Sequence, residues 1–528
     1  MSGAKRGARG TRPRPSPAIP VRPVAVHSDR VFEITISALL ALGFFLLLCA
    51  SPDVAGGSDG YRHVKQASRL ITEPHSMFAD PWHLAYFWRV PVDAWFGYHV
   101  LLAPFTYFFD LITATKVFSS LIFGLIAYTL FHLLRHLHAR YSFIWVILAM
   151  TGNISTLLRA TTVRPFLLSV LLTLLAALWT VTDKPVKLAV VSLIHALSYS
   201  IFFLVGMAPA IWFLLRRDRR SCIAALACGA GIVLGLLLNP YFPENLRFDI
   251  VLVSVVSLGQ QAHVHMGDES YPANSGSVLA LLPVALPWMG ALILRLRNWR
   301  QSAPAADLFL LLSAATFLGT LRVVRTVDFF VPFAILFAAS VISPYLKTSR
   351  TDVVVLLALL PCFFDSCLMR QYVREAPSLA RYRGAAEYLR VNAPGALVAN
   401  AQWYDYQFLF FLNSRNRYVI GIEPTLTYMA DPRKYWLWYH ISADEPGTCD
   451  HETCADSDRT DIVAAVRYDL GAQYVLVGHY ANPRLESILR KKTNVTEVYR
   501  DAAFSVYRID SVFEGRRPRV VNSRFINS

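Results

Sequence analysis

The polar run 51–99 holds this chain's densest set of groups able to do chemistry: Asp59, His63, Asp80, His83, Asp93 and His99, interleaved with Trp82, Trp88 and Trp95. Asp59, in Gly-Gly-Ser-Asp-Gly-Tyr-Arg-His, stands nine residues past the apolar segment that ends at residue 50. A carboxylate at that depth can act as general base on an attacking hydroxyl or orient a metal. His63 follows at i+4, on the same face of a helix over 60–70. The competing reading is structural, because Ser58 and Asp59 also stand where an N-cap would open that helix. Asp80 before Pro81 is both a candidate second acid and an ordinary turn opening. His83, Asp93 and His99 are candidates for acceptor contacts in the same loop. No spacing here matches a closed zinc site. Mg²⁺ or Mn²⁺ is a different matter, since such ions can use one or two carboxylates together with substrate phosphate oxygens, and Asp59 or Asp80 would supply them.

Four arginines complete the set. Arg159 and Arg164 fall in one expected outer connection, and Arg322 and Arg325 in another, followed by Asp328. Short outer loops normally avoid basic residues. The planar guanidinium fork suits phosphate, so these four are candidate ligands for a phosphate-linked donor. Against that, Arg325 and Asp328 stand at i+3 and would also make a plain packing pair. The segment 240–275 adds His263, His265, Asp268 and Glu269, and reads either as an acceptor-gating loop or as ordinary surface.

A membrane must position these residues. The chain is 55% hydrophobic and 16% charged over 528 residues, with a mean hydropathy of +0.40, well beyond what soluble domains carry. Apolar stretches near 31–50, 113–133, 142–158, 165–181, 188–201, 202–215, 222–239, 276–294, 305–321, 327–344 and 352–370 predict about eleven helical spans. Their continuous Leu/Ala/Phe character excludes the alternation of a membrane barrel. This count needs 188–215 to be two short helices meeting near His195–Ser200, and 99–111 to be interfacial or re-entrant. The arginine-rich tail 1–30 and the basic turns at 135–140, 183–187, 216–220, 295–300 and 347–350 then share one side, which the insertion rule makes cytoplasmic. The first outer loop and everything beyond residue 372 lie on the other side. That distribution also accounts for the net charge of +15 without nucleic-acid binding. The Pro-rich tail is too polar to bury a core and reads as disordered.

Beyond residue 372 helix-like and strand-like patterns alternate: helices over 385–391, 404–412, 432–440, 461–470 and 483–490, strands over 396–399, 418–422 and 474–477, and a closing hairpin over 496–508. Residues 373–528 therefore predict an outer α/β domain on the membrane domain 31–372. Cys449 and Cys454 lie five apart in a polar loop and predict a disulfide in an oxidising compartment; a zinc site with His451 lacks a fourth ligand. Trp403, Tyr404, Tyr406, Trp436, Trp438 and Tyr439 either stack on sugar rings or fill the domain core.

In layout, with an acid soon after the first span in Ser58-Asp59-Gly-Tyr-Arg-His63, interfacial helices in the first loop, many spans and an outer C-terminal domain, the chain resembles the GT-C superfamily of membrane glycosyltransferases. That superfamily includes protein mannosyltransferases, aminoarabinose transferases of lipid A and oligosaccharyltransferases. The resemblance implies transfer of a sugar from a polyprenyl-phosphate donor to a lipid, glycan or protein acceptor at the outer face, by inverting displacement. Asp59 would inherit the base role, with His63 in support and Asp80 as counterpart of a second acid. A bacterial inner membrane with a periplasmic C-terminal domain is the implied setting. The Trp-Trp-Asp motif of oligosaccharyltransferases is missing; the C-terminal domain has Gly421-Ile-Glu423-Pro-Thr instead, similar to a Gly-Leu-Asp-Pro-Thr run of uncharacterised bacterial members. The alternatives from other classes are a lipid-linked-glycan flippase, for which no internal repeat is evident, and a non-catalytic envelope assembly protein.

Overall fold

A computed structural model describes residues 30–54, 57–75, 91–346 and 351–510, with no side-chain description at 351–359 and 361. The apolar runs fold as helices because only a helix satisfies its own backbone polar groups in hydrocarbon. Among the described residues, five helical segments are long and apolar enough to cross a membrane: Arg30–Leu48, Leu111–His136, Arg219–Leu238, Pro304–Arg322 and Val324–Tyr345. A sixth is Ser142–Thr151 followed by Ile154–Thr161, bent by 66°. The sequence predicts one straight span there. Gly152 ends the first helix and Asn153 caps the second, its side chain accepting from the Thr156 amide at 2.9 Å, so the chain turns. Pro165–Val181, Pro185–Ser198 and Phe202–Arg216 are apolar but shorter. The break between Ser198 and Phe202 falls where the sequence analysis needs two short helices to meet.

Helices pack closely where side chains are small. On Arg219–Leu238, Gly231 and Gly235 stand one turn apart against Pro185–Ser198; a Cβ on them would come within 2.2 Å of the Ala189 carbonyl and 2.6 Å of the Leu193 carbonyl. In the first span, buried Glu33 is neutralised by an ion pair with Arg135 of Leu111–His136. The expected loop 240–275 is mostly ordered as helix, Glu244–Gln261, which buries Phe248, Val255 and Val256 and packs on Pro424–Ala430; the connection proper is 262–274.

The C-terminal region carries a five-stranded sheet, β1 (Leu397–Asn400), β2 (Arg417–Tyr418), β3 (Tyr474–Gly478), β4 (Val495–Arg500) and β5 (Phe504–Ile509), in the order β2-β1-β3-β5-β4. The first three pair in parallel, Val398 opposite Tyr418 and Tyr474, and β5 and β4 close the sheet as an antiparallel hairpin. Helices Ala380–Asn392, Asp405–Leu412, Pro432–Ser442 and Pro483–Arg490 occur where the pattern predicts them, whereas 418–422 contributes only the end of a strand. Tyr406, Trp436 and Trp438 are buried core residues, which removes them from any sugar-stacking surface. Cys449 and Cys454 are joined by a disulfide, so the sulfur atoms beside His440 serve as a cross-link.

If Gly231 and Gly235 set the closest helix approach, Gly235→Leu forces Arg219–Leu238 away from its partner. Its midpoint of thermal unfolding in detergent should fall well below wild type, while Gly229→Leu, with open space around its Cβ position, should leave it unchanged.

Candidate active site

Two close approaches bring Asp59 and Arg164 together. Gly60 lets the start of the helix Asp59–Thr72 press against the turn at Thr162–Val163, since a Cβ there would lie 2.5 Å from Val163 Cγ2. Val163 itself is left-handed, with φ of +49°, a costly state for a β-branched residue that turns the chain so that Arg164 precedes the helix Pro165–Val181. Arg164 Nη2 then meets Asp59 Oδ2 at 2.8 Å. The other Asp59 oxygen accepts from Gln407 Nε2 at 3.0 Å, a contact from the C-terminal domain helix Asp405–Leu412. Ser58 makes no side-chain capping bond, so the acid at this helix start serves the cluster and not a cap.

The cluster continues inward. Arg164 also holds Glu269 at 2.8 Å, Glu269 reaches Arg159 at 2.6 Å, and Arg159 reaches buried Asp328 at 2.7 Å. Five alternating charges thus join the first loop, the bent pair, the 262–274 connection and the span beginning at Val327. Burial alone would raise the Glu269 carboxyl, but Arg164, Arg159 and Arg325 outweigh it and hold it well below the usual carboxylate range. Asp328 pairs with Arg159 and not with Arg325, as the i+3 spacing allowed. Among the described residues Arg325 makes no ion pair; it is half-buried and acts electrostatically on Glu269 and Glu423. Arg322 stands exposed at the end of Pro304–Arg322. Of the four arginines, Arg325 and Arg322 are therefore the ones left for an anion, while Arg159 and Arg164 are committed to carboxylates.

His63 is turned away into a separate buried chain. Arg62 Nη2 donates to His63 Nε2 at 3.0 Å, which makes that nitrogen the lone-pair acceptor. His63 Nδ1–H must then donate to His99 Nε2 at 2.9 Å, and His99 Nδ1–H to Asp93 Oδ2 at 2.5 Å. Burial, then Arg62 and His99, lower the His63 pKa well below its ordinary value, so the ring stays neutral. With both nitrogens engaged, His63, His99 and Asp93 lock the helix Asp59–Thr72 to Phe96–Phe108 and position Asp59 indirectly. Asp80 and His83 lie outside the described residues.

Two acids of the site carry little sequence signal. Glu269 sits among several polar loop residues, and Glu423 in Gly421-Ile-Glu-Pro-Thr; Gln407 lies in an apolar helix with nothing to mark it. Glu423 Oε2 lies beside Gly267, 4.0 Å from where a Cβ on that glycine would be, and the carboxyl is raised to about 7 by burial, with Glu269 and Asp59 adding to the shift. Behind the cluster, a small apolar cavity of ≈ 30 Å³ lined by Phe123, Ile126, Phe166, Val170 and Pro332 ends at Asp328. A divalent ion at Asp59 would have to displace Arg164, which already fills the cationic position between Asp59 and Glu269.

This architecture is similar to the fold of GT-C glycosyltransferases of known structure. The oligosaccharyltransferase of Archaeoglobus fulgidus superimposes with a TM-score of 0.60 at 12% identity, covering 87% of this chain and 72% of that one. ArnT from Cupriavidus metallidurans gives 0.53 at 14% identity over 90% of this chain and 97% of its own. The mycobacterial arabinofuranosyltransferase AftD gives 0.57 at 13% identity over 92% of this chain, which spans 40% of AftD. The archaeal enzyme AglB has also been seen with an inhibitory peptide and a dolichol-phosphate. No protein-family model and no curated protein sequence matches the chain.

Because the folded Glu269 pKa lies below its ordinary 4.5, its ion pairs stabilise the fold above that pH and are lost as pH falls through the lower folded value. Glu269→Gln should cost roughly 2 kcal/mol at pH 7, less than the 3–5 kcal/mol of a fully buried pair. Thermal unfolding of variant and wild type should converge as the buffer is taken below pH 4.5.

Proposed function

We propose that the chain is an integral-membrane glycosyltransferase that moves a sugar from a polyprenyl-phosphate donor to a hydroxyl acceptor, a lipid, glycan or protein, at the extracytoplasmic face. The observation that carries this reading is the Asp59 carboxylate, held at one helix start by Arg164 and by Gln407 of the C-terminal domain within a GT-C fold. The donor's phosphate binds Arg325, with Arg322 at the mouth, because these guanidiniums are not consumed by carboxylates. Asp59 positions or deprotonates the acceptor hydroxyl, whose oxygen displaces the lipid phosphate at the anomeric carbon with inversion. Lipid phosphate leaves readily, so no covalent intermediate on the protein is needed. The reaction steps use the chain's own side chains; Mg²⁺ or Mn²⁺ is assigned no role, since Arg164 holds the place an ion bound by Asp59 would take.

The remaining short helices and Thr351–Arg374 bring the spans to about eleven, with the N-terminus cytoplasmic, in the inner membrane of a bacterial envelope. Basic turns on one side and the arginine–carboxylate cluster with the C-terminal sheet on the other support this orientation.

Asp59→Asn, at wild-type membrane levels, should lower transfer of a radiolabelled sugar from undecaprenyl-phosphate donors by about a hundredfold or more. Arg325→Gln should chiefly raise the donor KM, by about tenfold, as loss of one charge-assisted phosphate contact. Unchanged transfer in Asp59→Asn would sink this assignment.

A further inference from the structure

We infer that Glu423, carried into the site by the C-terminal domain, is the base that receives the proton of the acceptor hydroxyl. This deepens the glycosyl-transfer reading and rests on it. Both Asp59 oxygens are already engaged, one by Arg164 and the other by Gln407. Glu423 is different: its carboxyl has a buried oxygen, Oε1, with no hydrogen-bond partner among the described residues. The side chain is aimed by strained backbone. Gly421 lies flat against the Tyr406 ring, where a Cβ would come within 2.3 Å of the ring, and Ile422 is left-handed at φ +62°, an uncommon state for a β-branched residue. Such strain is retained where the surrounding fold over-determines it, often at working sites. Glu269 Cγ and Glu423 Oε2 lie 3.8 and 4.0 Å from the point a Cβ on Gly267 would occupy, and Glu269 shares Arg164 with Asp59. Glu423 thus stands beside the acceptor-positioning pair.

The charged and titratable groups facing Glu423 come from four elements. They are Glu269 on the 262–274 connection, Arg325 before the helix at Val327, Asp59 on the first-loop helix and Tyr435 on Pro432–Ser442. Burial and the two neighbouring acids disfavour its charge, while the Gly267 amide and Arg325 favour it, leaving the carboxyl at about 7. A base with that proton affinity is half-ionised at neutral pH and still takes up a proton readily. The step balances: the acceptor oxygen bonds to the anomeric carbon, the bond from that carbon to the phosphate oxygen breaks with its electron pair leaving on the lipid phosphate, and the hydroxyl proton passes to Glu423. Glu423 then returns the proton to water. Asp59 and Gln407 hold the acceptor.

The test uses the full chain in lipid nanodiscs, with radiolabelled undecaprenyl-phosphate glucose, mannose and arabinofuranose as donors and octyl glucoside as acceptor. Wild-type kcat/KM should rise about tenfold per pH unit on the acid side and level off above about pH 7. Glu423→Gln should fall about a hundredfold at pH 8 and lose that acid limb, with the donor KM within threefold of wild type. Glu423→Asp, which keeps a carboxylate, should be slower but retain the limb. A Glu423→Gln variant with wild-type rate and an unchanged acid limb overturns the base assignment alone, as does a Glu423→Asp variant with no limb. Failure of the wild type to transfer from all three donors overturns the glycosyl-transfer reading beneath it.

Discussion

The alternating ion-pair chain Asp59–Arg164–Glu269–Arg159–Asp328 is the interaction on which the rest of the site depends. Each charge would be costly alone at the edge of the hydrocarbon, and each is affordable only because its neighbour on another element is in place. The chain therefore joins four segments far apart in sequence, and Gln407 extends it to the C-terminal domain. Three carboxylates against two guanidiniums leave one negative charge, and Arg325 nearby offsets it. A site built this way is held rigid by pairs whose partners come from different elements.

Local backbone choices make that chain possible. The Gly152–Asn153 turn redirects a would-be span so that Arg159 faces inward, and the left-handed Val163 does the same for Arg164. Gly60 removes the side chain that would keep Asp59 from Arg164. The buried chain Arg62–His63–His99–Asp93 then fixes the helix bearing Asp59 from behind, with the direction of every hydrogen bond set by an obligate donor at one end and a carboxylate at the other.

Much of this architecture is legible in the sequence because its causes are local. Apolar length marks the helices, and alternation marks most of the C-terminal elements. Arginines in loops that usually lack them mark one part of the site, as does the acid after the first span. What the sequence conceals is tertiary. Nothing local shows that Arg159 and Arg164 spend their charge on Glu269 and Asp328, 105 or more residues away, leaving Arg325 as the cation without an ion pair among the described residues. The i+4 spacing of Asp59 and His63 suggests partnership, yet burial against Trp95 and His99 draws His63 elsewhere. Glu423 is hidden in a different way, since its standing comes from the left-handed turn at Ile422 and the approach of Gly267 from another segment.

The account's central claim is that the Asp59–Arg164–Glu269 cluster is where a lipid-phosphate sugar meets its acceptor. An electron cryomicroscopy structure of the chain with an undecaprenyl-phosphate sugar tests this most directly. The phosphate should lie on Arg325 and the anomeric carbon should face Asp59 and Glu423. Density for the donor at the opposite membrane face, or with its phosphate remote from Arg325 and Asp59, would contradict it.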